Sequence, residues 1–547
     1  MRAHRRTSGL VAAAAASSLI LAACGSDDGG GAGGSAPTGA VTIAGTQPQN
    51  PLVSVNTNEV GGGDVLDSLS TGLVNYDPKD ASPTNAMAES IESADNTTFT
   101  IKLKKGWKFH DGTEVKAKHF VDAWNYGAYG PNAALASYFF EPFVGFTEVQ
   151  GEDKNDDGKV TADEAPVKEM SGLKVVDDHT FTVRTTSPVS NLPVRLGYQA
   201  YVPLPDGFFK DPKAYGRKPV SNGPYKFVSW TDNKEIRLTA DANYQGPDKP
   251  VVKDVIYKIY QNRDAGYNDL LAGNLDVMAT LPTTAIAGER YKTDLAGRSV
   301  DQAQGVFQSI SFPSSKADPR FDNKDLRHAL SMAIDRKLIT DTIFNKTRLP
   351  ASGWASPVVD GYKEGACGEF CTFDPAKAKE LFAQAGGFQG TITLSFNADG
   401  DHKAWTTAVC NSITKTLGVR CVAVPIANFD IFRDQITERK MKGLFRTGWQ
   451  MDYPSIENFL APIYGTGAGS NDSDYSNAAF DGKLKEAAAA KGDDANKLYQ
   501  EAEAILADGM PVIPLWHSKL QAGWSTKIAS IQFNPFGTPS LETIKKK

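Results

Sequence analysis

The sequence lacks the common signatures of catalysis. It contains seven histidines, scattered at positions 4, 110, 119, 179, 328, 402 and 517. It has no HExxH motif, no GxSxG elbow and no Walker A loop. His110 and Asp111 adjoin in KFHDGTEV, but the DGT that follows is typical of a turn between a strand and a helix. These absences favour a protein that is not an enzyme.

The sequence also lacks an excess of positive charge. The 547 residues carry 58 Lys and Arg against 64 Asp and Glu, a formal net charge of −6. Three of the basic residues, Arg2, Arg5 and Arg6, stand at the very start. An acidic surface of this kind does not attract nucleic acid. The chain length and an apolar content of 41% predict more than one domain or lobe.

Only one long apolar run occurs, from Gly9 to Ala23. Following a basic start and too short to span a membrane, it predicts a secretory signal peptide over residues 1–23. The run ends in Leu21-Ala22-Ala23-Cys24, which resembles the lipobox of bacterial lipoproteins, whose cysteine is lipidated. The alternative is a signal peptide that happens to hold a cysteine near its cleavage site.

The segment after Cys24 cannot form a core. Residues 24–40 are dominated by Gly, Ser, Ala and Asp, a composition typical of a flexible tether. We therefore expect a globular part that is held by a lipid anchor at the outer face of the cell membrane, in the periplasmic space or on the cell-wall side.

The chain has five cysteines. Apart from Cys24 they are Cys367, Cys371, Cys410 and Cys421. Four closely spaced cysteines outside the cell predict two disulfides, and no neighbouring His or Cys completes a zinc site. The sequence leaves the crossed pairing open. The local pairing, 367 with 371 and 410 with 421, is preferred because Leu417-Gly418 resembles a helix end that turns the chain back.

Strand and helix patterns alternate without an internal repeat. The predicted strands are TFTIKL (98–103), TFTVR (180–184), EIRLTA (235–240) and TITLSF (391–396). Predicted helices begin at Asp322 and at Asp374, the latter with Pro375 in its first turn, and a third ends at Gly509. This alternation predicts α/β lobes whose sheets are covered by helices.

One segment matches a metal-binding pattern. DKNDDGKVTADE (153–164) has the spacing of an EF-hand-type calcium loop, and the predicted ligands are Asp153, Asn155, Asp157, Lys159, Thr161 and Glu164. Gly158 permits the sharp turn at the sixth position. Against this, the flanking sequences are not amphipathic helices, and the alternative is a solvated acidic turn. No cofactor is required, and a bound Ca²⁺ would be structural.

Five segments, taken in order, resemble the oligopeptide and dipeptide solute-binding proteins of ABC importers (family 5). They are residues 85–124, 219–244 (PVSNGPYKFVSWTDNKEIRLTADANY), 268–277 (NDLLAGNLDV), 325–339 (DLRHALSMAIDRKLI) and 448–460 (GWQMDYPSIENFL). The similarity spans nearly the whole chain after the signal. It implies an α/β, bilobal periplasmic-binding-protein-like fold of type II, similar to cluster C, in which two hinged lobes carry an extra domain.

The resemblance also implies domain boundaries. Lobe 1 is discontinuous and covers residues 41–77, 201–305 and 510–547. The extra domain covers residues 78–200, and lobe 2 covers residues 306–509. The chain then crosses between the lobes near Val306 and Met510, and short paired crossings favour hinge bending.

The family resemblance implies a ligand site in GWQMDY. In peptide-binding members the aspartate at this place receives the α-ammonium group of the ligand, which assigns that role to Asp452, with Gly448 and Trp449 lining the same pocket. From spacing alone, a turn in which the Asp452 carboxylate bonds its own backbone is favoured, and the family resemblance reverses that preference. Tyr138 resembles a cleft aromatic of the family only weakly, and core packing is predicted for it.

The family resemblance implies a monomeric receptor that captures short peptides and delivers them to membrane permease subunits of an ABC importer. One alternative is the same fold binding another solute, such as an oligosaccharide or a metal chelate. The other is an extracellular hydrolase, which requires a nucleophile or metal-bound water that the motifs do not supply.

Overall fold

Strands and helices alternate along the chain, as the sequence predicts. The structure, a computed structural model, describes residues 39–57, 59–155, 157–398, 400, 402–427 and 429–547. The predicted signal peptide, Cys24 and nearly all of the tether lie outside these residues. Within them, no helix is long and apolar enough to cross a membrane.

The strands are β1 (Ala40–Gly45), β2 (Val74–Tyr76), β3 (Pro83–Asn85), β4 (Ala88–Glu92), β5 (Thr98–Leu103), β6 (Leu173–Asp177), β7 (Thr180–Arg184), β8 (Tyr225–Thr231), β9 (Glu235–Ala240), β10 (Asp254–Ile259), β11 (Val277–Met278), β12 (Ser299–Ser311), β13 (Arg348–Pro350), β14 (Ile392–Asn397), β15 (Cys421–Ile426), β16 (Leu444–Gln450), β17 (Val512–Trp524), β18 (Ile528–Phe533) and β19 (Pro539–Lys546).

The helices are α1 (Val60–Leu69), α2 (Ala117–Ala128), α3 (Phe146–Gln150), α4 (Leu192–Arg195), α5 (Pro212–Arg217), α6 (Arg263–Ala272), α7 (Thr283–Ile286), α8 (Arg290–Leu295), α9 (Lys324–Met332), α10 (Arg336–Thr342), α11 (Pro375–Gln384), α12 (Lys403–Leu417), α13 (Phe429–Thr437), α14 (Ala461–Tyr464), α15 (Ala478–Ala489) and α16 (Gly492–Gly509).

Helix ends follow the local sequence chemistry. The side chain of Asp374 caps α11 by accepting from the amides of residues 376 and 377, which confirms the predicted start. The predicted start of α9 at Asp322 is wrong. Asp322 follows a 3₁₀ turn, and the side chain of Asn323 makes the cap instead. Gly418 ends α12 in the left-handed conformation, as expected for a helix that turns the chain back.

One eleven-stranded sheet runs through the molecule in the order β15-β14-β16-β12-β17-β11-β1-β10-β9-β8, and β13 also pairs with β17. The chain reaches this sheet in separate stretches, because β1, β8 to β11 and β17 come from distant parts of the sequence. A separate sheet, β4-β5-β7-β6, is formed within residues 78–200, which we call the inserted segment.

Strands β12 and β17 are the long shared elements of the large sheet. One half of their pairing joins Ser299–Ala303 to residues 519–523, and the other half joins Phe307–Ser311 to residues 512–517. The register shifts between Ala303 and Phe307. A break of this kind disrupts the ladder locally, bends the strand and increases its twist. The predicted lobe boundaries themselves stay predictions.

Of the five hydrophobic clusters of the described residues, the three largest lie around these sheets and are called the cores here. The first is formed within residues 307–516, and the third combines residues 41–69 and 225–277 with residues 520–544. The second is formed mainly within residues 53–208. Tyr453, from the segment that follows β16, is buried in the second core although its chain neighbours belong to the first. The loop after β16 is therefore packed between two cores.

A second contact joins the inserted segment to the part of the chain that forms the first core. Asn96, a buried residue with φ of 56°, donates from its side-chain amide to the carbonyls of Ala488, Ala489 and Ala490 at the end of α15. Ser190 adds bonds to the same helix end. The inserted segment thus caps the carboxyl end of α15, a helix that packs in the first core. We call this contact the Asn96 clasp.

Candidate functional site

The three predicted ligand residues lie on β16 and on the loop that follows it. β16 pairs with β12 over Phe445 to Gln450, so Gly448 lies opposite Gln308. A Cβ at position 448 would come within 3.0 Å of the carbonyl oxygen of Phe307, which explains the glycine. Just beyond the strand, Met451 donates its amide to the carbonyl of Gly305, 2.8 Å away, and this bond fixes the direction in which Asp452 leaves the sheet.

Asn458 joins two of the predicted residues. Its side-chain oxygen accepts from Trp449 Nε1 at 3.0 Å and from the amide of Asp452 at 2.9 Å. Its side-chain amide donates to Asp452 Oδ2 at 3.0 Å. The Asp452 carboxylate is therefore held by a side chain of the following 3₁₀ turn, Ile456–Phe459, rather than by the backbone of its own turn. No role is predicted for Asn458 from the sequence, since no spacing rule marks it.

The charge of Asp452 has no cationic partner in contact. Among the described residues, no Lys, Arg or His nitrogen lies within 4.0 Å of its carboxylate. Burial raises the pKa of Asp452 to about 6, against the lowering effect of the Asn458 hydrogen bond. Glu457 raises this pKa further and Arg195 lowers it. The half-buried carboxylate is thus poised to gain from a cation.

Arg195, whose charge lowers the pKa of Asp452, forms its ion pair with Glu457 instead. Arg195 donates to Glu457 at 2.9 Å, and the Arg195 guanidinium also stacks on Tyr453, 5.2 Å from the ring centre. The Tyr453 hydroxyl donates to Glu457 at 2.8 Å, and the Asn191 amide donates to the same carboxylate. Desolvation lowers the pKa of Arg195, but Glu457 and the neighbouring tyrosines together outweigh it and raise that pKa above its ordinary value. We call these four residues the Glu457 cluster.

Tyrosines from the inserted segment face the same region. Burial raises the pKa of Tyr138 and of Tyr198, and in both cases the next largest cause is the charge of Asp452. Tyr198 stacks on Phe139, with ring centres 4.4 Å apart. Tyr138 is 48% exposed, so the prediction that it packs in the core is wrong. Tyr138 is partly open to solvent near Asp452, and its neighbour Phe139 is the residue that is buried in the second core.

A cavity of about 240 Å³ opens beside Gly448 and Trp449. We call it the β16 cavity. Its aromatic lining consists of Phe307, Phe429, Phe432, Trp449 and Tyr464. Its charged lining consists of Arg433, Arg446 and Asp472. No sequence pattern indicates this cavity, because its walls come from β12, α13, β16, α14 and the loop near residue 470.

The edge of β16 next to this cavity is open. β14 pairs with β16 only through Leu444 and Phe445. In the described structure no other strand pairs along that side, so residues 446–450 have a strand partner on one side only. An open strand edge offers backbone donors and acceptors to an extended ligand chain.

The predicted calcium loop is folded as a series of side-chain turns. Asp153 accepts from the amides of Asp157 and Gly158, at 3.2 and 2.7 Å, and Glu164 accepts from Thr161. In the described part of the chain, no group of three or more His, Cys, Asp or Glu side chains is arranged to hold a metal ion. Calcium binding by this loop stays a prediction.

The four described cysteines lie in two pairs at disulfide distance. The Sγ atoms of Cys367 and Cys371 are 2.06 Å apart, and those of Cys410 and Cys421 are 2.13 Å apart. This is the predicted local pairing, 367 with 371 and 410 with 421. The second pair ties the middle of α12 to the start of β15.

Comparison with known proteins gives a consistent family. The family model described as "Bacterial extracellular solute-binding proteins, family 5 Middle" matches residues 82–471. The oligopeptide-binding protein OppA of Bacillus subtilis is 27% identical over 490 residues, 86% of each chain. A dipeptide-binding protein of Lactococcus lactis subsp. cremoris is 27% identical over 514 residues, 87% of this chain and 88% of its own.

Solved structures share the architecture. The Escherichia coli murein tripeptide binding protein MppA superposes with a TM-score of 0.74 at 21% identity, covering 93% of this chain and 99% of its own. Haemophilus influenzae OppA, in complex with the peptide RPPGFSPFR, gives a TM-score of 0.73 at 22% identity, with the same coverage. The expected α/β, bilobal periplasmic-binding-protein-like fold is confirmed.

Proposed function

This chain belongs to the bacterial extracellular solute-binding proteins of family 5, and we propose that it captures short peptides and delivers them to a membrane permease. Binding occurs in the cleft beside β16, and ATP is hydrolysed by another subunit of the importer. The protein itself performs no catalysis. Its close relatives by sequence include proteins named for oligopeptide and dipeptide binding, which supports a peptide as the solute.

The observation that carries the proposal is the state of Asp452. Its carboxylate is half-buried, is oriented by Asn458 and contacts no described cation. Removing a carboxylate from water is unfavourable unless a positive charge compensates it. The α-ammonium group of a peptide supplies that charge at the end of an otherwise neutral backbone.

The open edge of β16 fits the rest of such a ligand. A peptide whose ammonium group meets Asp452 extends back along residues 450 to 447, on the side of β16 that has no strand partner there. Gly448 and Trp449 then line its path, in the roles assigned to them from the family resemblance. The register break in β12 lies where the two halves of the large sheet meet and supplies a hinge for closure over the ligand.

We further propose that the protein is a monomer held at the outer face of the membrane. The basis is the sequence Leu21-Ala22-Ala23-Cys24, in which Cys24 carries the lipid, and the tether that follows it. The loop 153–164 serves a structural role, with Ca²⁺ as its candidate ion. These proposals are independent of the identity of the solute.

Isothermal titration with trialanine tests the role of Asp452. The protein is first freed of copurified ligand by unfolding and refolding. Asp452→Asn is expected to weaken binding about 30-fold to several thousand-fold, because loss of one partner of a desolvated charge pair costs about 2 to 5 kcal/mol. N-acetylation of the peptide is expected to weaken binding to the wild type but to have little further effect on the variant.

The matched control is Asp493→Asn, an exposed aspartate in the first turn of α16. It is expected to bind like the wild type. Equal dissociation constants for the wild type and Asp452→Asn would remove the peptide assignment. Mass spectrometry of the ligand that copurifies with the native protein gives an independent check.

A further inference from the structure

Lysines surround the point where the described chain begins, next to the tether. The carbonyl of Gly39 accepts from the backbone amide of Lys253 at 2.9 Å. The carbonyl of Ala40 accepts from Lys546 Nζ at 2.6 Å. Three more lysines belong to the same end of the molecule, and we call the five together the lysine face: Lys253, Lys527, Lys545, Lys546 and Lys547.

The hairpin of β18 and β19 brings the other members to this end. Ile528 at the start of β18 pairs with Lys546 at the end of β19. The backbone amide of Lys547 donates to the carbonyl of Lys527 at 3.0 Å. All five lysines are exposed to solvent. The lysine face is therefore one surface, built by folding from three separate stretches of the sequence.

Most of this positive charge is not neutralised by the protein. In the described part of the chain, only Lys527 has a carboxylate within 4.0 Å of its Nζ, that of Asp276 at 3.9 Å. Asp276 is 7% exposed and already accepts from neighbouring backbone and hydroxyl groups. Asp254, next to Lys253, is a second acid at this end of the sheet. With both acids counted, the face keeps an excess of about three positive charges on a protein whose formal net charge is −6.

The position of the tether brings the lysine face close to the membrane. Fifteen peptide steps separate Cys24, the residue proposed to carry the lipid, from Gly39. A Gly-rich chain of this length spans about 20 Å on average. An anionic lipid surface attracts basic groups over a Debye length of about 8 Å, which lies within that reach. The charged residues of the tether, Asp27 and Asp28, are acidic, so the attraction comes from the folded part.

The proposed ligand site lies at the opposite end of the same hairpin. Near the turn between β18 and β19, the carbonyl of Pro535 accepts from the amide of Gly305 at 2.9 Å. The carbonyl of Gly305 in turn holds Met451, directly before Asp452. The eight residues of β19 rise by about 3.3 Å each and separate the two ends by roughly 20 Å. Contact of the lysine face with a membrane therefore does not place the Asp452 loop against the headgroups.

We propose that the lysine face docks on the anionic phospholipid headgroups of the membrane that holds the lipid anchor. The contact orients the protein with its Asp452 end away from the bilayer surface. This inference rests on the proposed anchor at Cys24 and does not depend on the identity of the solute. A lipid chain and a basic patch act as two signals for the membrane, and the second signal also fixes which side of the protein faces it.

Acetylation of individual lysines tests the docking. The lipidated protein is reconstituted on vesicles of phosphatidylcholine alone, or of equal parts phosphatidylcholine and phosphatidylglycerol, and is treated with N-hydroxysulfosuccinimide acetate. Mass spectrometry then gives the modification rate of each lysine. On the anionic vesicles, the rates in the lysine face are expected to be lower by about threefold or more. The internal controls, whose rates are expected to be equal on both vesicles, are exposed lysines of α11 and α12: Lys379, Lys403 and Lys415.

Salt separates the docking from the anchor. At 1 M NaCl the Debye length falls to about 3 Å, and the protection of the lysine face is expected to disappear while the protein stays on the vesicles. Equal rates at the lysine face on both kinds of vesicle at low salt would overturn the inference. Protection that persists at 1 M NaCl would assign it to a contact other than charge and would also overturn it.

A charge-removal variant locates the effect. Lys545→Gln/Lys546→Gln/Lys547→Gln is expected to lower the ratio of docked to undocked molecules about 100-fold, at about fivefold for each lysine. Lys253 and Lys527 should then lose their protection. The matched control makes the same change at the three control lysines of α11 and α12 and is expected to keep it. Circular dichroism shows whether both variants are folded, and protection retained in the first variant would overturn the assignment.

The failure of the proposed anchor gives a different result. Mass spectrometry of the peptide that contains Cys24 reports the lipid, and vesicle flotation reports the anchoring. If Cys24 carries no lipid and the protein does not float with phosphatidylcholine vesicles, the anchor and this inference both fail. If the protein floats with both kinds of vesicle and its lysine face is modified equally on each, only the inference fails.

Discussion

Two carboxylates of the same loop, Asp452 and Glu457, have opposite surroundings. Glu457 is 3% exposed and receives hydrogen bonds from an arginine, an asparagine and a tyrosine. Asp452 receives a side-chain bond from a neutral asparagine only, among the described residues. The better buried charge is the one that the protein compensates by itself.

This difference separates structural from binding roles without reference to any motif. The Glu457 cluster joins α4 to the loop after β16 and brings Tyr453 into the second core. It fixes the loop. Asp452 uses that fixed loop to hold a charge that the protein leaves uncompensated, which is the arrangement expected for a group that binds a cationic ligand.

The largest expected effect comes from removing the charge of Glu457. Glu457→Gln leaves the Arg195 guanidinium buried without a counter-charge and is expected to lower the free energy of unfolding by about 3 to 5 kcal/mol. Urea denaturation at pH 7.5 measures it. The double variant Arg195→Gln/Glu457→Gln is expected to be less destabilised than the single variant. A single variant within 1 kcal/mol of the wild type would contradict the comparison.

The next effect is on the pH dependence of peptide binding. Because the pKa of Asp452 is raised to about 6, the carboxyl group is largely protonated below that pH and offers no charge to an ammonium group. The affinity for trialanine is expected to fall about tenfold for each pH unit below 6. Titrations between pH 4.5 and 7.5 measure it. In Asp452→Asn this decline is expected to disappear, and a parallel decline in both proteins would assign it to another group.

The smallest effect concerns stability without ligand. A carboxyl group whose pKa is raised by folding stabilises the protein while protonated, and that contribution is lost as the pH rises through about 6. Asp452→Asn removes a desolvated charge and is expected to change the free energy of unfolding at pH 7.5 by less than about 1 kcal/mol, in the stabilising direction. The urea curves that serve for Glu457→Gln provide the direct contrast. A large loss would show that Asp452 is structural.

Much of the fold follows from local sequence. The strand over residues 98–103 and the capped start of α11 at Asp374 lie where alternation and capping chemistry predict them. The start of α9 was predicted too early, because Asp322 and Asn323 are both good capping residues and only the three-dimensional course of the chain decides between them. The family itself follows from five ordered segments.

The candidate site was predicted in part. Asp452, Trp449 and Gly448 come from one short segment, and the family resemblance gives their roles. The pair of Arg195 and Glu457 spans 262 residues, and no local rule relates them. Asn458 lies within the same segment as Asp452, but an asparagine in a polar stretch carries no signal of its own. Long-range packing decides the Arg195–Glu457 pair, and the local course of the loop after β16 decides the contacts of Asn458.

The Asn96 clasp has a consequence for the energetics of movement. Three carbonyl groups at the end of α15 share one amide donor from the opposite part of the molecule. In the proposed opening movement, water replaces that donor at little net cost, since a neutral hydrogen bond exchanged with solvent contributes only about 1 kcal/mol. We therefore expect this contact to set the alignment of the closed form and to add little to its lifetime. That lifetime then depends on the bound ligand.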